Sequence, residues 1–168
     1  MLFDLSYQLA YYKAYHLHQK NVAIHLCCIP LILASAMTML YATGKPWILY
    51  SLATVYSGYY IILHRKVGAM ASAFLVAIII LIQKLNTLFP PTVIFRSALT
   101  IHILSWAAQF YGHFHFEKRS PAVLDNLVQP LVLAPYFVLF ELLFNAGYER
   151  KLHDRMLAQA VQLRRDKQ

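Results

Sequence analysis

Five side chains capable of chemistry share one face of a helix in the second half of this 168-residue chain. They are His102, Trp106, Gln109, His113 and Glu117, spaced by four, three, four and four residues, the spacing that stacks side chains along one helix face. The other face carries Ile103, Leu104, Ala107, Ala108, Phe110, Tyr111 and Phe114, which suit lipid or a protein interior. A polar seam on an otherwise apolar helix is costly unless it lines a site. It is therefore predicted to form one wall of a site, and distant parts of the chain must supply the other.

The chain has 8 histidines. His18, His64 and His153 lie beside charged or turn residues and are expected in solvent, and His115 is expected to be an interfacial side chain. His16, His25 and His113 each abut apolar sequence. Neutral imidazoles suit Fe, Zn, Cu or Ni, and histidines with a carboxylate and open positions are the pattern of non-haem Fe(II) oxygen chemistry. Glu117, one turn beyond His113, could ligate an ion or orient a ligand from behind. Spacing alone leaves a metal site and a hydrogen-bonded polar cluster equally open. His102 stands eleven residues before His113, roughly 16 Å along a helix, too far to share an ion. Glu141 reads as a buried acid, either paired with a cation or kept protonated. There is no Gly-rich phosphate loop, no defensible Ser-His-Asp arrangement and no Cys metal motif.

Positioning these groups falls to strongly apolar elements. The chain is 60% hydrophobic and 13% charged, against about 25% charged in an average soluble protein. A spanning helix needs roughly 20 mostly apolar residues, and several runs approach that length. The expected fold is an all-α, polytopic membrane helical bundle of four to five hydrophobic helices plus an N-terminal interfacial helix. One membrane-embedded catalytic domain is expected over 1–146. Its interfacial helix is 3–16 and its hydrophobic helices about 22–43, 47–63, 67–83, 93–117 and 127–146, followed by a charged, solvent-facing tail, 147–168. On one straight helix, residues 16 and 25 would point in opposite directions. A break at Asn21, read as an N-cap, would let the two rings converge. Pro30 is expected to kink the first span, Asn86 to Pro91 to form a turn, and Asp125-Asn126 to open the last span. Gly68, Ala69, Ala71, Ser72 and Ala73 suit close helix contact.

No cleavable leader is expected, and Cys27 and Cys28 are expected as small core residues rather than a bridge. The net charge of +8 gathers at Arg65-Lys66, Lys118-Arg119 and the tail. Clusters that flank spans report topology and attraction to anionic headgroups, so nucleic acid is not an expected partner. Four full spans with one tilted or re-entrant helix would satisfy the positive-inside rule better than five.

Four blocks of this sequence carry a resemblance. They are Tyr15-His16; Asn21-Val22-Ala23-Ile24-His25; Trp106-x-x-Gln109-Phe110-x-Gly112-His113-x-x-Phe116-Glu117-Lys118-Arg119-x-Pro121-Ala122-x-x-Asp125-Asn126-Leu127-x-Gln129; and Leu133-Ala134-Pro135. Together they resemble the 2-hydroxy fatty acid dioxygenases of fungi and plants, which have bacterial relatives, over nearly the whole chain. His18-Gln19 departs from the Asn-Pro often found in that turn. The resemblance implies a multi-pass endoplasmic-reticulum membrane enzyme. It would use Fe(II) and O2 to shorten a 2-hydroxy long-chain fatty acid by one carbon in phytosphingosine breakdown. It puts the metal ligands on His16, His25 and His113 and the acid on Glu117.

Glu117 and Gln109 are then the candidate catalytic groups, with Lys118 or Arg119 placed to hold the substrate carboxylate at headgroup level. Membrane lipid is the remaining expected partner, and no obligate protein partner is evident. Three other classes compete: a non-catalytic membrane scaffold, which needs no converging histidines, a haem-binding electron carrier with two axial histidines, and a transporter with a polar seam, against which the sequence shows no repeat halves.

Overall fold

The computed structural model describes residues 3–118 and 129–165. Expectations that fall on Arg119, Pro121, Asp125 and Asn126 lie outside the described residues. Among the described residues all regular structure is helical. The α-helices are α1 (Leu5–Ala14), α2 (Gln19–Tyr41), α3 (Pro46–Leu63), α4 (Arg65–Leu88), α5 (Pro91–Gly112), α6 (Ala134–Asn145) and α7 (Arg150–Arg165). A π-helical turn, His113–Glu117, continues α5, and another, Gln129–Leu133, leads into α6. Three helical runs among the described residues are long and apolar enough to cross a membrane: Gln19–Tyr41, Arg65–Leu88 and Pro91–Glu117. The other two apolar helices fall short of that standard. α3 has 18 residues and carries Tyr50, Tyr56, Tyr59 and Tyr60, while Leu131–Asn145 is a shorter apolar helix.

The chain divides into two compact units, Met1–Leu26 with Gln109–Gln168, and Cys27–Ala108. In the first unit, α1 is capped by Asp4, whose carboxylate accepts the Tyr7 N–H at 3.1 Å. α1 is not a bare interfacial helix, because it buries Gln8, Leu9, Ala10, Tyr12, Lys13 and Ala14. Nor is the tail a solvent-facing appendage. α7 buries Met156 and Ala160, and Ala160 packs with Ala14 and Tyr15. The helical spacing of Leu152, Met156, Ala160 and Leu163 was a usable sign of this face. Lys13 and Glu141 join α1 to α6 by a buried ion pair of 2.6 Å, so the partner of that acid is a lysine.

The second unit holds α3, α4 and most of α2 and α5. His64, in extended conformation, ends α3 and caps α4, its ring accepting the Val67 N–H at 3.3 Å. Just beyond it, Gly68 lies against the backbone of Tyr60 and Ile61, where any Cβ would collide. Ile62, Val76, Ile80, Leu81, Ile103 and Leu104 are all more than half exposed. Aliphatic surface on that scale suits hydrocarbon rather than water.

Several local expectations shift. α2 begins at Gln19, so Asn21 is inside its first turn, and the break lies at residues 15–18. α4 continues through Asn86, whose amide donates back to the Ile82 carbonyl at 2.8 Å instead of ending the helix. Pro91 then starts α5, as proline's missing N–H allows. Cys27 is exposed and Cys28 half-buried, so neither is a core residue. His64 and His153 are not simply solvated: the first caps a helix, and the second stacks on Phe144 at 4.8 Å. His18 and His115 are exposed, the latter stacked on Tyr111 at 5.1 Å.

Candidate metal centre

Three segments of the first unit bring their imidazoles together. The short link between α1 and α2 places His16, the second turn of α2 places His25, and the π turn after α5 opens with His113. All three are buried, each 3% exposed. Ring centroids lie 4.4 Å apart for His16 and His25, and 4.9 Å apart for His113 with either. One potential ligand atom from each falls within 4.8 Å of the others. Rings meeting edge to face at these separations leave no room for a porphyrin between any two of them.

Hydrogen bonds decide which nitrogen is available. His16 Nδ1 lies 2.7 Å from the Tyr12 carbonyl, and His25 Nδ1 lies 2.9 Å from the Asn21 carbonyl. A carbonyl only accepts, so each Nδ1 carries the proton and donates it, leaving Nε2 with its lone pair. This is the carbonyl-backed arrangement that orients metal-binding histidines. His113 Nδ1 is buried with no hydrogen-bond partner. A buried, unpaired imidazole nitrogen is costly in isolation and is satisfied by a cation. Burial pushes the His16 pKa well below the usual histidine range, and the neighbouring His25 and His113 push it further. A neutral ring is the form that binds metal. The donor set therefore fits a divalent transition-metal ion of the kind nitrogen ligands favour.

Around these rings lies a second set of contacts. Tyr12 stacks on His16 at 4.0 Å and rests against Phe137 at 4.8 Å. Burial and the nearby Glu141 carboxylate raise its pKa far above the usual value, so it stays a neutral phenol. Glu117 is buried, but both its oxygens are engaged. Oε1 accepts the His18 backbone N–H at 2.8 Å and the Asn21 amide at 3.3 Å, while Oε2 pairs with Arg164 at 2.6 Å. The grouping of possible ligand atoms accordingly comprises the three histidines.

The π turn explains how His113 and Glu117 come to share a side. Its wider turn, closed by the Lys118 N–H on the His113 carbonyl, brings residues four apart closer to register than an α-helix does. Lys118 ends it in the left-handed region (φ 51°) with an exposed side chain. Gly112 lies so close to the Asn21 carboxamide that a Cβ would collide with it. Gln109, one turn before His113, is buried and its amide nitrogen has no partner, and Asn21 Oδ1 is likewise unpaired.

His102 does not join the triad. In the second unit, its Nε2 accepts the Trp106 indole N–H at 3.1 Å, so its Nδ1–H donates to Ser35 Oγ at 2.9 Å. Ser35 passes the chain on to the Ile32 carbonyl at 3.0 Å, and the whole relay is internally satisfied.

Sequence reasoning missed Arg164, Tyr12 and the bracing role of Asn21. The four-residue step from Tyr12 to His16 was a usable signal. Arg164 had none, because in a helix rich in Lys and Arg every cation looks solvated.

Comparison with known proteins bears on this geometry. A family model described as 2-hydroxy-palmitic acid dioxygenase Mpo1-like matches residues 2–146. The 2-hydroxy-palmitic acid dioxygenase MPO1 of Saccharomyces cerevisiae is 41% identical over 156 residues, covering 90% of this chain and 86% of the yeast protein. No solved structure matches.

Proposed function

The chain belongs to the Mpo1-like 2-hydroxy-palmitic acid dioxygenase family, and from that premise we propose that it is an Fe(II)-dependent dioxygenase. Its reaction is oxidative cleavage of the C1–C2 bond of a 2-hydroxy long-chain fatty acid, shortening the acid by one carbon. The observation that carries this reading is the meeting of three buried imidazoles, two of them with Nδ1 backed by a backbone carbonyl.

His16, His25 and His113 would hold the iron. The chemistry supplied by a bound Fe(II) is activation of O2 together with polarisation of the adjacent substrate oxygens. The protein's own share is positional. Tyr12 fixes the plane of the His16 ring, and the Tyr12 and Asn21 carbonyls fix the tautomers of His16 and His25. Gln109 is the group we assign to the substrate's polar end, because its unpaired amide nitrogen can donate to a carboxylate or hydroxyl oxygen. Held in that way, the reacting bond is oriented rather than free to tumble. Lys118, with Arg119 beside it in sequence, is the cation we assign to the carboxylate. Glu117 acts from behind the ligands rather than as one of them. Each buried CH2 of the alkyl tail contributes about 0.8 kcal/mol, which favours meeting this substrate within a bilayer. Three span-length helices support a membrane setting, and we assign it to the endoplasmic reticulum and to sphingolipid, specifically phytosphingosine, degradation.

The decisive test compares purified wild type with His113→Ala for bound iron and for O2 uptake on a 2-hydroxy acid. Wild type should carry iron and consume O2, and the variant should do neither. Equal iron in both proteins would refute the ligand assignment, and iron without uptake would refute the reaction.

A further inference from the structure

We propose that Arg164, in the last turn of α7, is a positioning residue of the metal centre that acts through Glu117 on the segment carrying His16 and His25. The proposal rests on the metal reading of the three histidines given above.

The contacts run without a gap. Arg164 grips Glu117 twice: Nη1 pairs with Oε2 at 2.6 Å, and Nη2 donates to the Glu117 backbone carbonyl at 3.4 Å. The other carboxylate oxygen holds the His18 N–H and the Asn21 amide, which flank the start of α2. The Asn21 backbone carbonyl in turn takes the His25 Nδ1–H. Glu117 is also the last residue of the π turn that His113 opens. Arg164 thus reaches His25 through two intermediaries and bears on the turn of His113, while the rest of α7 packs against the Ala14-Tyr15 end of α1, next to His16.

Charge gives the arrangement its purpose. The Glu117 side chain is 2% exposed, so an unpaired carboxylate there would be strongly destabilised. Without Arg164, Oε2 loses the partner that holds it, and the carboxylate that accepts the His18 and Asn21 donors is free to turn away from them. With Arg164 present, the pair is neutral and the carboxylate stays aimed at the turn. A guanidinium suits the task because its planar fork reaches side-chain and backbone oxygens together, which an ammonium cannot do. α7 lies beyond residue 146, where the family match ends. The tail helix is therefore part of the site rather than an appendage to it.

The test is Co(II) titration of the purified full chain in detergent, following both the midpoint and the visible absorption of the bound ion. Arg164→Ala should bind roughly 10- to 100-fold more weakly, as loss of a ligand-orienting partner does, with an altered spectrum. Arg164→Lys should recover part of the loss, and Arg165→Ala, at an exposed neighbour, should titrate as wild type. In combination with Glu117→Gln, the Arg164→Ala change should have little further effect, because the two act as one unit. A merely structural arginine would reduce the amount of folded protein yet leave the affinity and spectrum of the folded fraction unchanged, and that result would overturn the proposal. Wild-type protein that takes up no Co(II) would instead overturn the metal reading on which it stands.

Discussion

His16 shows how a single ring joins burial to function. It is deep enough that its protonated form is disfavoured, and two further imidazoles add to that penalty. The consequence for metal-free protein has a definite sign. Below the ordinary histidine value of 6.5, the unfolded chain binds a proton that the folded ring refuses, so acid favours unfolding. Stability should be fully present above that value and fall as the pH drops, by about 1.4 kcal/mol per pH unit for this one ring. The fall ends only where the folded ring itself protonates. Urea unfolding of metal-free protein at pH 8, 6 and 5 checks this, and a midpoint that does not move would show that His16 is accessible to protons. The same competition predicts that acid strips metal from the centre, since protons and metal seek the same lone pairs.

Elements are held by polar contacts that their own sequences do not announce. Lys13 and Glu141 tie α1 to α6 beside the Tyr12–Phe137 contact, and so fix the helix that ends one residue short of Tyr15-His16. Glu141→Ala alone should destabilise the protein by about 3–5 kcal/mol, because it strands a buried ammonium. Lys13→Met combined with Glu141→Leu should cost far less, since neither charge remains. Thermal unfolding in detergent measures both, and equal losses would mean that the pair is solvated and contributes little. The helix faces themselves were legible. Ile103, Leu104, Tyr111 and Phe114 are exposed, while Gln109, His113 and Glu117 are buried, which is the division that a helical period over apolar and polar residues dictates. The π turn was not legible, because a widening of that kind depends on the Glu117 contacts and leaves the residue pattern almost unchanged.

At the scale of the whole molecule, composition has the strongest voice. Three helical runs among the described residues are long and apolar enough to cross a bilayer, and much of their surface is aliphatic. The chain should therefore stay in the membrane pellet after alkaline carbonate extraction and leave it only with detergent. Release by carbonate would place these helices in a soluble bundle. The other two expected hydrophobic helices are present, and each departs from a plain span. α3 interrupts its aliphatic residues with tyrosines, and the run expected over 127–146 is described as an α-helix only from Ala134 to Asn145.

By itself, the sequence determined that the chain is helical, that it is rich in span-length apolar runs, and which residues face inward on α5. It also singled out His16, His25 and His113, because imidazoles embedded in apolar sequence need a reason to be there. Tertiary structure alone decided where the break before α2 falls, which ring nitrogens are protonated, and that Glu117 is spoken for by Arg164, 47 residues away. The reason is one of range. Period and composition act between neighbours along the chain, whereas a buried charge is satisfied by whichever partner the fold brings near, and nothing in the local sequence names that partner.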